Sequence, residues 1–517
     1  MDSRVLGALA ALLAAAAAWV MRAAAEWLWW RPRRLERSLR SQGVDGNLYR
    51  FLNGDLKETV RLTKEARAQP ISPPSHRFLH RINPLLLRAI SHHGKFALTW
   101  IGPTPRVSIM DPELVREVLS NKFGHFAKPK AAPIVKLLAT GLANYEGEKW
   151  VRHRRIINPA FHLEKLKRML PAFFSCCSEL IGRWESLVGC DESREVDVWP
   201  ELQNLTGDVI SRTAFGSSYA EGRRIFQLQS EQAELLIQAV QTVYIPGYRF
   251  LPTPKNIRRT KIDKEVRALL RSIIEKRENA MKMGDVHDDL LGLLMEYNLK
   301  ESEHFNSKNI GMTTEDVIEE CKLFYFAGQE TTSVLLTWTM ILLGMHPSWQ
   351  DRAREEVSQV FGKNKPDFDG LSRLKTVTMI LYEVLRLYPP IIFLTRRTYK
   401  PMMLGGITFP PEVQLALPII FIHHDPEFWG EDAEEFNPDR FADGVSKASK
   451  NQMAFFPFGW GPRICIGQGF AMLEAKMGLS MILQRFSFEL SPNYSHAPHT
   501  KITLQPQHGA QMVLHRL

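Results

Sequence analysis

Cys465 sits in the stretch FGWGPRICIG, Phe458 to Gly467, with an arginine two residues ahead of it and a helical pattern directly behind. A cysteine just before a helix meets the positive end of the macrodipole and unpaired N–H groups, and both favour its thiolate. Gly461, Gly467 and Gly469 let backbone approach the sulfur with no Cβ in the way. Such a sulfur is a nucleophile or a metal ligand, and the bland reading is an inert cysteine buried in a turn. A nucleophile needs a positioned base, and no histidine lies close in sequence. A dinucleotide fingerprint fails too, because GQGFAM lacks the third glycine and a preceding strand. A lone thiolate does suit the axial position of a haem iron, where the macrocycle supplies the other ligands.

Further polar residues stand in unusual company. AGQETT, Ala327 to Thr332, places a glycine, a carboxylate and two hydroxyls in the middle of an apolar run. Either the threonines bond carbonyls four residues back in a kink, or a ligand crosses the helix beside a proton-delivery pair, Glu330 and Thr331. Glu383 and Arg386 in EVLR share a helix face, and Arg440 in FNPDRF is a second cation for Glu383. A carboxylate held by two guanidiniums is a clamp for the fold, since arginine does not titrate. Trp150 and Arg154 lie one helical turn apart in WVRHR, and Arg154, Arg397 and Arg463 could bind two carboxylates. His423-His424-Asp425 is a poor metal site, because adjacent residues on an extended loop point apart.

These residues need positioning elements, and the pattern is mainly helical from about Pro112 onward. Residues 314 to 345 read as one long apolar helix, opened by a Thr313/Asp316 capping pair and stopped before Pro347. It is apolar all round and must run through a core. A second helix is expected over Pro347 to Val360, and a third over about 372 to 388, ended by Pro389-Pro390. KFALTW and RVSIMD read as paired strands around the turn Ile101 to Pro105. No repeat of 20 to 50 residues is visible, which excludes a solenoid.

The chain of 517 residues is 44% hydrophobic, enough for a large core. Its five cysteines include no C-x-x-C pair, which argues against a disulfide framework or structural zinc. The net charge of +10 is interleaved with acids, so no nucleic-acid block stands out. Val5 to Met21 is apolar and uncharged, followed by Trp27, Trp29, Trp30 and six arginines between Arg22 and Arg40. Eight alanines in that run also fit a cleaved signal peptide, but the tryptophans and the positive flank favour a retained anchor with the following chain in the cytosol. A secreted chain would also expose sequons at Asn204 and Asn493. Residues 1–30 are therefore read as the anchor, 31–75 as a basic, polar linker, and 76–517 as the main domain.

In order and spacing, FGWGPRICIG, AGQETT, EVLR, PDRF and WVRHR resemble the cytochrome P-450 haem-thiolate monooxygenases over residues 76 to 517. The resemblance implies that family's fold, mainly α with small β-sheets (α+β), as a single large haem domain around a long central core helix. It implies haem b with Cys465 as proximal ligand and Phe458 shielding the sulfur. Trp150, Arg154, Arg397 and Arg463 would hold the propionates, with Arg397 chosen over Arg396. Gly461 and Gly467 would shape the loop, Glu330 and Thr331 would guide protons to dioxygen, and Glu383, Arg386 and Arg440 would form the structural triad.

RPRRLERSLRSQGVDGNLYRFLNGDLKE and YIPGYRFLPT are similar to the plant clade that includes secologanin synthase. That likeness implies an apolar, oxygenated terpenoid-type substrate. It further implies a monomer anchored in the endoplasmic reticulum membrane, drawing electrons from an NADPH-cytochrome reductase, with cytochrome b5 as a second donor. Lys149 to Arg168, with seven Lys/Arg and one Glu, is the expected docking face for the reductase. Tyr244 to Pro254 reads either as a membrane-dipping loop or as a packed interhelical loop, and pocket walls are expected near residues 124–144, 320–331, 389–395 and 496–503. The competing functions are a haem-thiolate isomerase or dehydratase without oxygen activation, and a haem sensor or carrier. Glu330-Thr331 argues against both.

Overall fold

The structure, a computed structural model, describes residues 3–120, 125–189, 193–216, 219–242, 247–284, 289–296 and 312–517. Cys190, residues 244–246 of the expected membrane loop and residue 124 of the expected pocket wall lie outside the described residues. Among the described residues helices dominate, and four small sheets flank them.

The central helix is Thr314–Met345, opened by a complete capping box between Thr313 and Asp316. It stops at His346 because Pro347 has no N–H to continue it and instead opens the helix Pro347–Phe361. Trp338, Ile341 and Leu342 are fully buried, as its all-round apolarity requires. The helix Val198–Phe215 lies along it. Gly328 permits that approach, since a Cβ there would stand 2.6 Å from Ile210 Cγ1. Thr206 Oγ1 then donates to the Gln329 carbonyl at 2.8 Å. Part of what repays a glycine in this helix is thus a neighbouring helix.

The Glu383 helix starts later than its sequence pattern suggests. Phe368–Arg373 forms a separate short helix, and Thr376–Leu387 begins afresh. The Glu356 carboxylate sets the new start by accepting from the backbone N–H of Lys375, Thr376 and Val377 at 2.7, 2.8 and 3.0 Å.

The largest sheet has five strands. Phe96–Ile101 pairs with Thr104–Ile109, which runs parallel to Gln414–Leu417; Leu394–Thr398 and the short Phe126–Ala127 follow antiparallel. The first turn is only Gly102-Pro103, because Ile101 and Thr104 still pair, so the expected five-residue turn is too long. Residues 31–75 are not a free linker. Leu39, Val44 and Tyr49 are buried, the Leu98 carbonyl accepts from Asn47 N, and Asp55 accepts from Trp100 N. The segment therefore packs onto the outer strand of the large sheet, which gives its scattered apolar residues a surface to cover.

At the N-terminus, Ser3–Ala25 is helical and passes through a π-helical turn, Glu26–Trp30, into Arg31–Arg40. This is the one helix among the described residues apolar and long enough to cross a membrane, with mean hydropathy 1.9 and none of its apolar window buried against protein.

Candidate active site

The cysteine loop is closed by its own backbone. Gly459 N donates to Phe456 O, Ile464 N to Gly461 O, and Cys465 N to Phe458 O, at 2.9, 3.0 and 2.9 Å. Gly461 is required twice, by φ of +72° and by the Leu119 carbonyl 2.5 Å from where its Cβ would stand. Gly467 differs, with φ of −89° and no protein atom nearer than 3.9 Å to an added Cβ. Of the three glycines expected to admit backbone to the sulfur, Gly461 is needed for the close pass of the Leu119 carbonyl, and Gly469 would meet Leu166 at 3.2 Å. The helix Gln468–Leu483 follows directly.

Cys465 opens onto a cavity of about 290 Å3. Phe458 and Gly467 line it together with Cys465, Ala327, Gly328, Thr331 and Thr332 line the central-helix side, and Leu335, Ile391 and Leu394 are among the apolar walls. Cys465 is exposed to the cavity, unlike the other described cysteines. Desolvation by the protein packed around the cavity floor pushes its pKa up, while the Gly467 N–H and the Arg154 charge pull it back. The helix start acts in the anticipated sense, and the helping charge is Arg154 rather than the adjacent Arg463, yet desolvation exceeds both; a bound metal would be the additional charge that deprotonates a coordinating thiol. Cys176, Cys177 and Cys321 are buried, and burial raises all three, as for inert core thiols.

One wall collects cations. Arg463 lies 4.4 Å above the Trp150 ring and donates to the Tyr145 carbonyl at 2.9 Å, with Glu146 also 2.9 Å away. Its Nη1 is buried with no partner. Arg396, 4% exposed, lines the cavity, whereas Arg397 turns away to pair with Glu412. The choice of Arg397 is thus overturned by strand alternation, which sends neighbouring side chains to opposite faces. Lys128, absent from the sequence-based set, lines the same wall. Burial lowers Arg396 to about 10, helped by Arg463, and lowers Lys128 to about 7, helped by Arg396 and Arg463. Trp150 and Arg154 do not line the cavity; Trp150 carries Arg463, and Arg154 Nη1 donates to the Ile464 carbonyl at 2.9 Å.

Three cations faced by Glu146, one of them with an orphaned N–H, call for an anion. An apolar slot with a thiol on one side and guanidiniums at its edge fits a haem carrying two carboxylates. Cys465 would hold the iron, and Arg463, Arg396 and Lys128 the propionates.

Thr331 and Glu330 point to different places. Thr331 lines the cavity, and its Oγ1 donates to the Ala327 carbonyl at 2.8 Å. Glu330 is 9% exposed, on another face of the helix, where it accepts from Thr503 Oγ1 at 2.6 Å and from Gln505 Nε2. Burial raises its pKa, against those two bonds and the Lys501 charge.

Glu383 and Arg386 are both fully buried. Arg386 uses all five N–H groups: two on Glu383 at 2.7 Å, and three on the carbonyls of His423, Ala433 and Glu435. Arg440 is not an equal second partner, because its Nε stands 3.5 Å from Glu383 while its other nitrogens engage Asp432 and the Trp429 carbonyl. The backbone N–H of Asn437 supplies the remaining bond to Glu383 at 2.9 Å. His423 and His424 brace this region through the carbonyls of Arg386 and Leu387. Among the described residues no cluster of three His, Cys, Asp or Glu could hold a metal.

Sequence reasoning also missed His153, which meets Glu320 at 2.6 Å with both side chains fully buried and ties the Trp150 helix to the central one. Lys149 likewise pairs with Asp316 at 2.6 Å and stacks on Tyr145, so it is committed within the fold. A basic run in sequence carries no sign of such partners.

With this geometry established, comparison with known proteins places the chain. The Cytochrome P450 family model matches residues 84–513. The chain is 59% identical over 493 residues, 95% of each chain, to Cytochrome P450 CYP72A219 of Panax ginseng. It is 54% identical to 11-oxo-beta-amyrin 30-oxidase of Glycyrrhiza uralensis over 98% of each chain, and 53% identical to 7-deoxyloganic acid hydroxylase of Catharanthus roseus over 96% of each. The chain belongs to the cytochrome P450 family and is a haem-thiolate monooxygenase of plant type. When bound, the haem iron supplies dioxygen activation, by which one oxygen atom enters a C–H bond and the other leaves as water.

Proposed function

We propose that the chain oxidises an apolar, already oxygenated terpenoid at a C–H bond, and does so from the endoplasmic reticulum membrane. The apolar character of the cavity beside Cys465 carries the reading: apart from its cation wall, Thr331 and Thr332, its walls are chiefly apolar side chains, which would exclude water from the haem and favour an apolar substrate against it. The names of the Glycyrrhiza and Catharanthus relatives, an oxo-amyrin oxidase and a deoxyloganic acid hydroxylase, support the same substrate class. The N-terminal apolar helix with its tryptophan and arginine flank supports an anchor that leaves residues 31 onward in the cytosol. Electrons come from an NADPH-cytochrome reductase docked on the thiolate side, where Arg155 and Arg168 are exposed.

In this reading Thr331 is the cavity hydroxyl that passes protons on and Glu330 the proton reservoir behind it. The side chains of Thr503 and Gln505 keep the reservoir on its own face of the helix. Thr331→Ala should leave haem binding intact and divert reducing equivalents to hydrogen peroxide. Product formed per NADPH decides the assignment, and an unchanged ratio refutes the relay. The substrate class is tested by screening terpenoids for a shift of the haem absorption band, followed by detection of product heavier by one oxygen. If no terpenoid shifts the band while other lipophiles do, the class is wrong.

A further inference from the structure

Gly141–Asn144 is a single helical turn, set between the strand Phe126–Ala127 and the helix Gly147–Ile157 that carries Trp150 and Arg154. A helix this short does not hold itself in water, so its place is set by the groups that grip it. On one side these are the cations of the cavity wall. Lys128 Nζ donates to the Ala143 carbonyl, and Arg463 Nη2 donates to the Tyr145 carbonyl at 2.9 Å. The Glu146 carboxylate accepts from Lys128 N at 3.0 Å and pairs with Arg463 at 2.9 Å. Residues 143–146 thus supply the acceptors that aim both cations.

On the other side the grip comes from two consecutive carboxylates of the central helix. Glu320 is fully buried; its Oε2 accepts from Leu142 N at 3.0 Å, and its Oε1 meets His153 Nδ1 at 2.6 Å. Glu319 accepts from Thr140 Oγ1 and pairs with Arg267. Gly141 lets the turn come this near, since its φ is +51° and a Cβ there would stand 2.7 Å from Glu320 Oε2 and 3.2 Å from the Glu319 carbonyl. Backbone, hydroxyl and imidazole donors therefore converge on the acid pair from residues 140–153.

We propose that Glu319 and Glu320 are positioning residues for the haem: by clamping Thr140–Leu142 to the central helix they hold residues 143–146, and through them Lys128 and Arg463, where the haem carboxylates are received. A propionate and the acceptors of residues 143–146 draw on the same N–H groups. When the propionate takes some of them, the acid side of the grip is what keeps the turn in place. The acids themselves touch neither haem nor substrate. The inference rests on the assignment of Lys128 and Arg463 to the haem carboxylates, and is independent of the substrate class and of the proton relay.

The test measures haem release from the full-length holoenzyme to excess apomyoglobin, at a temperature well below the unfolding of every variant. Lys128→Met tests the wall itself and should speed release. Glu320→Ala should speed it about tenfold or more, as loss of a supporting partner does at other metal sites. Thr140→Val, which removes the hydroxyl bonded to Glu319 and changes shape little, should speed it several-fold with the fold intact. Because Glu320 acts through Lys128, Glu320→Ala and Lys128→Met together should speed release by less than the product of their separate factors. Asp55→Ala, which removes a buried carboxylate from the outer strand of the large sheet, should lower stability and leave release unchanged. Release at the parent rate in Glu320→Ala and Thr140→Val overturns the proposal, as do factors that multiply, or release from Asp55→Ala as fast as from Glu320→Ala. An unchanged rate in Lys128→Met also overturns it, by removing the wall on which it rests. That failure is told apart from failure of the clamp, in which Lys128→Met speeds release and the acid-side variants do not.

Discussion

Replacing Arg386 by lysine isolates what the buried Glu383–Arg386 pair contributes. The guanidinium makes five hydrogen bonds in a fully buried site, two of them to Glu383 at 2.7 Å. Lysine has three donors on a point charge, so at least two acceptors lose their partner. Each bond to a charged group is worth about 1.5–3 kcal/mol net, and breaking a buried pair costs about 3–5 kcal/mol because a carboxylate is left undercompensated. Arg440 cannot step in, since its Nε is 3.5 Å from Glu383 and the rest of its guanidinium is held by Asp432. Arg386→Lys should therefore lose about 3–5 kcal/mol. Denaturant unfolding followed by far-ultraviolet circular dichroism measures the loss, and the haem absorption band measures cofactor retention. Arg61→Ala is the control, because the Arg61–Glu65 pair is 60% and 57% exposed and should contribute at most about 1 kcal/mol. If Arg386→Lys unfolds within about 1 kcal/mol of the parent and keeps its haem, the full use of the guanidinium is not what secures this region.

Further outcomes follow from other residues. Gly461→Ala should destabilise the loop by more than about 1 kcal/mol, because its φ is +72° and its Cβ would strike the Leu119 carbonyl. Gly467→Ala should fold normally and lose only haem affinity; haem titration separates the two. Burial lowers His496 to about 4, whereas an unfolded imidazole protonates near pH 6.5. Between those values the unfolded chain binds more protons, so stability present above pH 6.5 falls towards pH 4 by about 1.4 kcal/mol per unit for this residue. His496→Gln should flatten the dependence of unfolding free energy on pH by one proton. Charge reversal at Arg155 and Arg168 should raise the reductase concentration needed for half-maximal turnover and reduce its salt dependence. An unchanged salt slope would place the docking face elsewhere.

Much of the site was legible as local pattern. The capping pair, the apolar run and Pro347 define the central helix from sequence-local causes, and the structure follows them from Thr314 to Met345. The cysteine loop was readable because its glycines, its arginine and the helix after it are neighbours in the chain. What stayed hidden depends on partners distant in sequence. Glu356 decides where the Glu383 helix begins, and the Leu119 carbonyl decides which glycine is indispensable.

The sequence alone determined the family-defining residues and the helices that carry them, because thiol chemistry, capping and periodicity act within a few residues. Only the tertiary structure decided that Arg396 and Lys128, not Arg397, face the cavity, since a one-residue step along a strand reverses the face. It alone brought Thr331 into the cavity onto which Cys465 opens and turned Glu330 towards Thr503 and Gln505, because those directions depend on which helix or strand packs against each face.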